Sequence, residues 1–127
     1  MLDRHADLRH HRERGQAAVE FAVALPLIVV VMLAIAQVGV SVRNEIAVEL
    51  AAREGARAAA VSADSAASAE AAARRAVALP MDVAVYSDGT TVSVTVSYVD
   101  PTDIAIIGSA IGPVRHTATA TMAIEPP

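Results

Sequence analysis

The chain has 127 residues and a formal charge of −4, and 54% of its residues are hydrophobic although only 2% are aromatic. Alanine and valine fill most of the apolar positions, so the chain lacks the side-chain volume of a large globular core. The length argues against a large enzyme with a deep cleft, the acidic balance disfavours nucleic-acid binding, and the lack of cysteine excludes disulfides and thiolate chemistry.

A continuous apolar run lies near the N-terminus, where residues 21–36 read FAVALPLIVVVMLAIA. Extended to Val42, the run has 22 residues and adds only Gln37, Gly39 and Ser41 as interruptions. A helix of that length measures about 33 Å, enough to cross a hydrocarbon layer of about 30 Å. We predict one membrane-spanning helix, because a cleaved secretory signal has a shorter apolar region and the rest of the chain is too small to bury such a helix.

The arginines give an indication of orientation. Four of the ten lie in the first fifteen residues, while Arg43, Arg53 and Arg57 follow the span closely. Because four arginines precede the span and three follow it closely, the N-terminus is expected in the cytoplasm and the region after the span outside it.

Residues 43–62 are predicted to extend the membrane helix into water. A polar stripe repeats every four residues along it: Glu45, Glu49, Arg53 and Arg57. The opposite, apolar face is expected to contain Ile46, Ala47, Leu50, Ala51, Ala58 and Ala59. After a break at 62–65, Asp64 is expected to cap a second helix that runs to about Leu79 and is ended by Pro80.

The apolar pattern then changes to a period of two. Valines alternate with other residues on both sides of an Asp88-Gly89 pair: Val83, Val85, Val92, Val94 and Val96. An Asp-Gly pair between two alternating runs predicts a β-hairpin.

A third alternating run covers residues 114–124, with threonines on one face and Ala118, Ala120 and Met122 on the other. His116 in this run is expected at the surface. The apolar connection before the run, IAIIGSAIG, is assigned neither to a helix nor to a strand. The sequence therefore predicts an α+β fold. A long N-terminal transmembrane helix and a second helix pack on a small antiparallel sheet of about three strands.

One acidic residue, Glu20, directly precedes the apolar run, and Gly15 stands five residues before it after an arginine-rich leader. The spacing Gly-x-x-x-x-Glu-Phe resembles the processing site of type IV prepilins, in the form found in Flp pilins and tight-adherence (Tad) pseudopilins. The strings AAVEFAVALPLIVVVML and ELAAREGARAAA are similar to TadE-family proteins, and the ending TATATMAIEPP resembles their last strand. Because major Flp pilins are much shorter, the chain resembles a minor pilin of TadE or TadF type.

The resemblance implies a cytoplasmic leader over residues 1–15, a transmembrane helix over 16–42 and an extracytoplasmic α+β domain over 43–127. A prepilin peptidase would cut between Gly15 and Gln16. Glu20 and Phe21 belong to the processing and assembly motif, and the Glu20 carboxylate would pair with the new α-amine of a neighbouring subunit. The implied partners are the peptidase, the major Flp pilin, a sister pseudopilin and the membrane platform of the assembly motor. The implied role is pilus initiation, assembly or adhesion.

Further candidates are a helix kink at Pro26 and subunit contacts in the second half of the helix. The candidate contacts are Glu49, Arg53, Glu54 and Arg57. No cofactor, metal site or enzymatic activity is expected, since the serines lack a partner histidine and acid, and the leader histidines His5, His10 and His11 lack ligand spacing.

Two other classes of function fit the same sequence. One is an unprocessed single-pass protein whose outer domain binds a partner or the cell wall. The other is a small regulatory subunit of a membrane enzyme. The first predicts that the N-terminus is retained, whereas the pilin interpretation predicts the loss of fifteen residues.

Overall fold

One helix, α1 (Asp3–Ala60), continues from the apolar span into the following region, as predicted. The computed structural model describes residues 3–104 and 106–125, with the backbone alone for residues 3–14, so the side chains of the leader lie outside the described residues. The later elements are α2 (Ser65–Ala76), β1 (Asp82–Ser87), β2 (Thr91–Asp100), α3 (Ile107–Ile111) and β3 (Val114–Ala123). The predicted α+β class is confirmed.

The second helix begins where the capping pattern predicts, because an Asp64 carboxylate oxygen accepts a hydrogen bond from the Ala67 N–H at 3.1 Å. Its predicted end at about Leu79 is wrong, since α2 ends at Ala76 and Val77 is already extended. Leu79 precedes Pro80, which disfavours a helical backbone there. Val77 and Leu79 instead pack against the core from an extended segment.

The three strands form one antiparallel sheet in the order β1-β2-β3. The register pairs Val85 with Val94 and Val94 with Ala120, so the alternating apolar positions share one face. On the opposite face, hydroxyl groups pair across β2 and β3, as between Thr95 and Thr119 at 2.8 Å. The sheet therefore has one buried face and one polar face, as predicted.

The predicted hairpin turn is present between β1 and β2, with Gly89 at φ +88°. The Asp88 carboxylate accepts four hydrogen bonds there, from the N–H and hydroxyl groups of Thr90 and Thr91. These bonds, first of all the one from the Thr91 N–H, hold the pKa of the Asp88 carboxyl well below its ordinary value. The turn is thus stabilised by an ionised side chain.

The core lies between the second half of α1, α2 and the inner face of the sheet, and its buried side chains are small. They are chiefly alanines and valines: Val48, Ala51, Ala52, Ala56, Ala59, Ala60, Ala69, Ala73, Met81, Val92, Val94 and Val96.

The predicted apolar face of α1 is partly wrong, because Ile46 and Leu50 are 60% and 46% exposed. Val48 and Ala52, which the prediction left out, are buried instead. The sheet and α2 approach the α1 backbone closely, and small side chains allow that approach better than isoleucine or leucine does.

The apolar connection between β2 and β3 also contains an element that the sequence left unassigned. Residues Ile107–Ile111 form the single-turn helix α3, which contacts α1. Of the three isoleucines at its start and end, Ile107 is buried, whereas Ile106 and Ile111 are exposed.

Candidate functional site

The residues of the predicted processing motif lie on one exposed stretch of α1. Gly15 has no atom within 4 Å of the position a Cβ would occupy, so nothing in the described part of the chain covers its backbone on that side. The Gln16 side-chain amide donates to a Glu20 carboxylate oxygen at 3.1 Å, one helical turn away. This carboxylate therefore faces the same side of the helix as the residue that follows Gly15.

The helix surface around this motif is apolar and uncovered. Every residue from 15 to 32 is exposed, including Phe21 at 61%. The part of α1 from Gly15 to Ala60 is long and apolar enough to cross a membrane, which agrees with the predicted span. The helix runs through Pro26 without interruption, and the kink at this position remains a prediction.

Three of the four candidate subunit contacts follow the polar stripe of α1, namely Glu49, Arg53 and Arg57, and Glu54 lies beside it. Glu49 and Arg53 make an exposed ion pair with each other, in the i,i+4 arrangement that the sequence predicts. Glu54 lines a shallow groove between α1 and α2 that Arg75 also lines. Arg57 lines a different groove, at the end of the sheet beside Glu125. Their role as subunit contacts stays a prediction.

The string AAREGAR contains a glycine, Gly55, whose role in packing the sequence did not reveal. An added Cβ would lie 3.1 Å from the Val94 side chain and 3.3 Å from the Ala69 carbonyl oxygen. Both distances are tighter than ordinary carbon contacts, so Gly55 allows α1, α2 and the sheet to meet. The glycine inside a polar and alanine-rich helix was the available sequence signal for this close approach.

A buried hydrogen-bonded group joins α1 to the far end of β2. The Asn44 amide donates to an Asp100 carboxylate oxygen at 2.8 Å, and both residues are about 95% buried, with 5% and 6% of their surfaces exposed. The other carboxylate oxygen of Asp100 accepts the Thr102 N–H at 2.9 Å. Sequence reasoning missed this group, because 56 positions separate Asn44 from Asp100 and no local pattern connects them.

The expectation that His116 lies at the surface is wrong, since only 4% of it is exposed. Its Nδ1 lies 2.9 Å from a Glu45 carboxylate oxygen, and its ring stacks on Tyr98 across the β2–β3 ladder, with centroids 6.5 Å apart. The alternation of β3 could have identified it, because His116 shares the parity of Ala118 and Met122 on the inner face. Glu45, predicted as part of a solvated stripe, thus also contacts the domain.

Within residues 15–104 and 106–125, no three histidine, aspartate or glutamate side chains come together as a metal site requires. The polar groups that do meet, Asn44 with Asp100 and Glu45 with His116, fasten the domain to α1.

A comparison with protein families identifies the N-terminal part of the chain. Residues 15–57 match the family model described as TadE-like protein. No curated protein and no solved structure matches the chain. The matched region begins at Gly15, contains Glu20 and the whole apolar run, and ends after AAREGAR at Arg57. Over residues 15–57 the chain is therefore similar to TadE-like proteins, which confirms the predicted resemblance in this region.

Proposed function

We propose that this protein is a structural minor pilin of the Tad/Flp pilus, cleaved by a prepilin peptidase and then taken up into pilus assembly. The supporting observation is the exposed helix surface over residues 15–32, which starts with Gly15, Gln16 and Glu20 and lies within the TadE-like region. The domain leaves this surface uncovered, so its apolar side chains need lipid or neighbouring helices around them.

The first step of the proposal is cleavage between Gly15 and Gln16 on the cytoplasmic side. Glycine weakens the helix locally and presents no side chain to the peptidase. The open space around Gly15 is compatible with access to this bond. Cleavage removes the leader and leaves a new α-amine on Gln16, which is cationic or nearly so at neutral pH.

The second step is pairing of the Glu20 carboxylate with the α-amine of an adjacent subunit. A carboxylate buried among apolar helices without a partner is strongly unfavourable, so the pair favours one register between neighbours. Within one chain, the Gln16 amide already contacts Glu20. In the assembled state the amine of the neighbour would replace or supplement this local contact.

The topology that we propose has residues 1–15 in the cytoplasm, residues 16–42 in the membrane and the α+β domain outside. The candidate partners are the prepilin peptidase, the major Flp pilin, a sister pseudopilin and the assembly platform. Exposed residues of the domain, among them Glu49 and Arg53, remain candidate contacts to other subunits. The protein has a structural role in this proposal, with no catalytic residue.

The assembly step is tested by expressing Glu20→Ala in cells that make the pilus. Glu70→Ala on α2 is the matched control, because Glu70 is also an exposed glutamate and forms an exposed i,i+4 ion pair with Arg74. We expect both variants to be cleaved and to reach the membrane, and only Glu20→Ala to be depleted from sheared pili. Equal recovery of the two variants in the pilus fraction would contradict the pairing role of Glu20.

A further inference from the structure

The connection between β2 and β3 lies at the end of the sheet nearest the apolar span. Asp100 and Val114, which flank it, form the last pair of the β2–β3 ladder, and Asp100 is bonded to Asn44 of α1. At the opposite end of the sheet, the Glu125 N–H donates to the Ala60 carbonyl. The sheet thus runs alongside α1 from Asn44 to Ala60, and α3, which belongs to the connection at the Asn44 end, contacts α1.

The helix α1 is partly covered for several turns before Asn44, on the same face. The covered residues, spaced by three or four positions, are Leu33, Gln37, Val40 and Ser41. Gln37 is only 6% exposed although it belongs to the apolar run. α3 contacts α1 and belongs to the connection at this end of the sheet, which places it next to these residues.

The base of the connection is held firmly to the domain. The Thr102 hydroxyl donates to the Gly112 carbonyl at 2.8 Å, which closes the segment between them into a loop. Gly108 passes so close to the Thr102 carbonyl oxygen that a Cβ at this position would overlap it. The loop is therefore fixed in its direction by residues on both of its arms.

Two large apolar side chains project from this fixed loop. Ile106 is 62% exposed and Ile111 is 61% exposed, although both belong to a segment with a buried neighbour, Ile107. Ile106 has a φ of +72°, which is costly for a β-branched residue and persists only where surrounding contacts impose it. Ile106 is therefore exposed in a backbone conformation that is strained for isoleucine.

The position of α3 along the α1 axis determines the depth of these isoleucines relative to the membrane. Gln37 lies about 24 Å along the helix axis from Phe21, and Asn44 lies about 35 Å from it, at about 1.5 Å per residue. A hydrocarbon layer of about 30 Å that begins at Phe21 ends between these two residues. The loop beside this stretch of α1 is therefore level with the outer boundary of the hydrocarbon layer.

We propose that residues 106–111 form a membrane-surface wedge, with Ile106 and Ile111 inserted into the outer interfacial layer of the bilayer beside α1. This inference rests on the membrane anchoring in the proposed function and adds a second contact with lipid. The wedge would prevent the domain from rotating freely over the membrane, because α1 and the loop together hold it at two points. It would also keep the Gln37 amide away from lipid.

The apolar surface of α1 next to the loop favours lipid as the contact of Ile106 and Ile111. The exposed apolar surface of α1 continues through Ile35 and Val38, at 60% and 63% exposure, up to the level of the loop. The segment 101–113 carries one charged residue, Asp103, and no basic residue. Insertion would thus depend on apolar burial and require no anionic headgroup.

The absence of tryptophan from the chain allows a direct test with single-tryptophan variants. The full-length protein is reconstituted in phosphatidylcholine vesicles whose acyl chains carry bromine, which quenches tryptophan fluorescence on contact. Ile106→Trp and Ile111→Trp report on the wedge, and Val29→Trp reports on the span. Val61→Trp is the matched control, because Val61 is 68% exposed but lies directly after the far end of α1.

We expect quenching of Ile106→Trp and Ile111→Trp to be about half or more of that of Val29→Trp, since interfacial side chains reach about 5–10 Å into the boundary. Quenching of Val61→Trp should be close to zero. If Val29→Trp is quenched while both wedge variants behave like Val61→Trp, the wedge is wrong and the anchor stands. If Val29→Trp itself is not quenched, the membrane anchor fails and the wedge fails with it.

Discussion

Replacing Asn44 with alanine removes the hydrogen bond that fastens the end of β2 to α1. The bond joins the Asn44 Nδ2 atom to an Asp100 carboxylate oxygen over 2.8 Å. About 95% of each residue is buried, since the exposed fractions are 5% and 6%, so water has little access to replace the lost donor. After the substitution, Asp100 keeps the hydrogen bond from the Thr102 N–H.

The size of the effect follows from this burial. A buried hydrogen bond to a carboxylate contributes about 1.5–3 kcal/mol, and an acceptor that loses its partner adds its desolvation penalty. We therefore expect the free energy of unfolding to fall by about 2–3 kcal/mol in Asn44→Ala. With a urea dependence of about 1.5 kcal/mol per molar, the unfolding midpoint falls by about 1.3–2 M.

The assay is urea unfolding of the full chain in detergent micelles, followed by tyrosine fluorescence, because Tyr98 lies in the sheet near this bond. Arg53→Ala is the control, since it breaks an exposed ion pair worth about 0.5 kcal/mol or less. If the midpoints of Asn44→Ala and Arg53→Ala agree within error, the Asn44–Asp100 bond does not hold the domain to α1.

Three further substitutions test the packing, the turn and the cap. Gly55→Val should lower the free energy of unfolding by about 1–3 kcal/mol through overpacking against Val94, and unchanged urea stability would contradict the close approach. Because the folded-state pKa of Asp88 lies below its ordinary 3.8, its stabilising effect is present above that pH and is lost as pH falls below it. Melting temperatures at acidic pH should therefore decline less steeply in Asp88→Asn, and equal slopes would refute this. Asp64→Ala should cost about 1 kcal/mol in the same urea titration, and no loss would mean that the cap is dispensable.

Much of the fold could be predicted from sequence because its signals are local. The long apolar run, the Asp64 cap and the Asp88-Gly89 turn each depend on residues within a few positions of one another. The change of period after Pro80 likewise identified the strands, and the parity of β3 defined the inner face of the sheet.

What sequence reasoning missed depends on contacts between distant segments. Ile46 and Leu50 belong to an apolar stripe, yet the domain packs on the neighbouring face, where Gly55 and the alanines allow a closer approach. The burial of His116 follows from its parity on β3, but its contact with Glu45 spans 71 positions and has no local signature.

The processing motif rests on the resemblance of Gly15, Glu20 and the apolar run to prepilins and stays a prediction, and the TadE-like match over residues 15–57 covers these residues. The proposed wedge at residues 106–111 could not be predicted from sequence, because an apolar loop segment carries no information about its position along the α1 axis. That position follows from the Asn44–Asp100 bond and the cover over Gln37.

The central claim, that the protein is a processed minor pilin, is tested most directly by the intact mass and N-terminal sequence of the membrane-extracted protein. The cells must express the prepilin peptidase, and Gly15→Leu is the uncleaved control. We predict that the mature wild-type chain begins at Gln16 and that the Gly15→Leu chain keeps its leader. A wild-type chain that still begins at Met1 beside an active peptidase would contradict the account and favour an unprocessed single-pass protein.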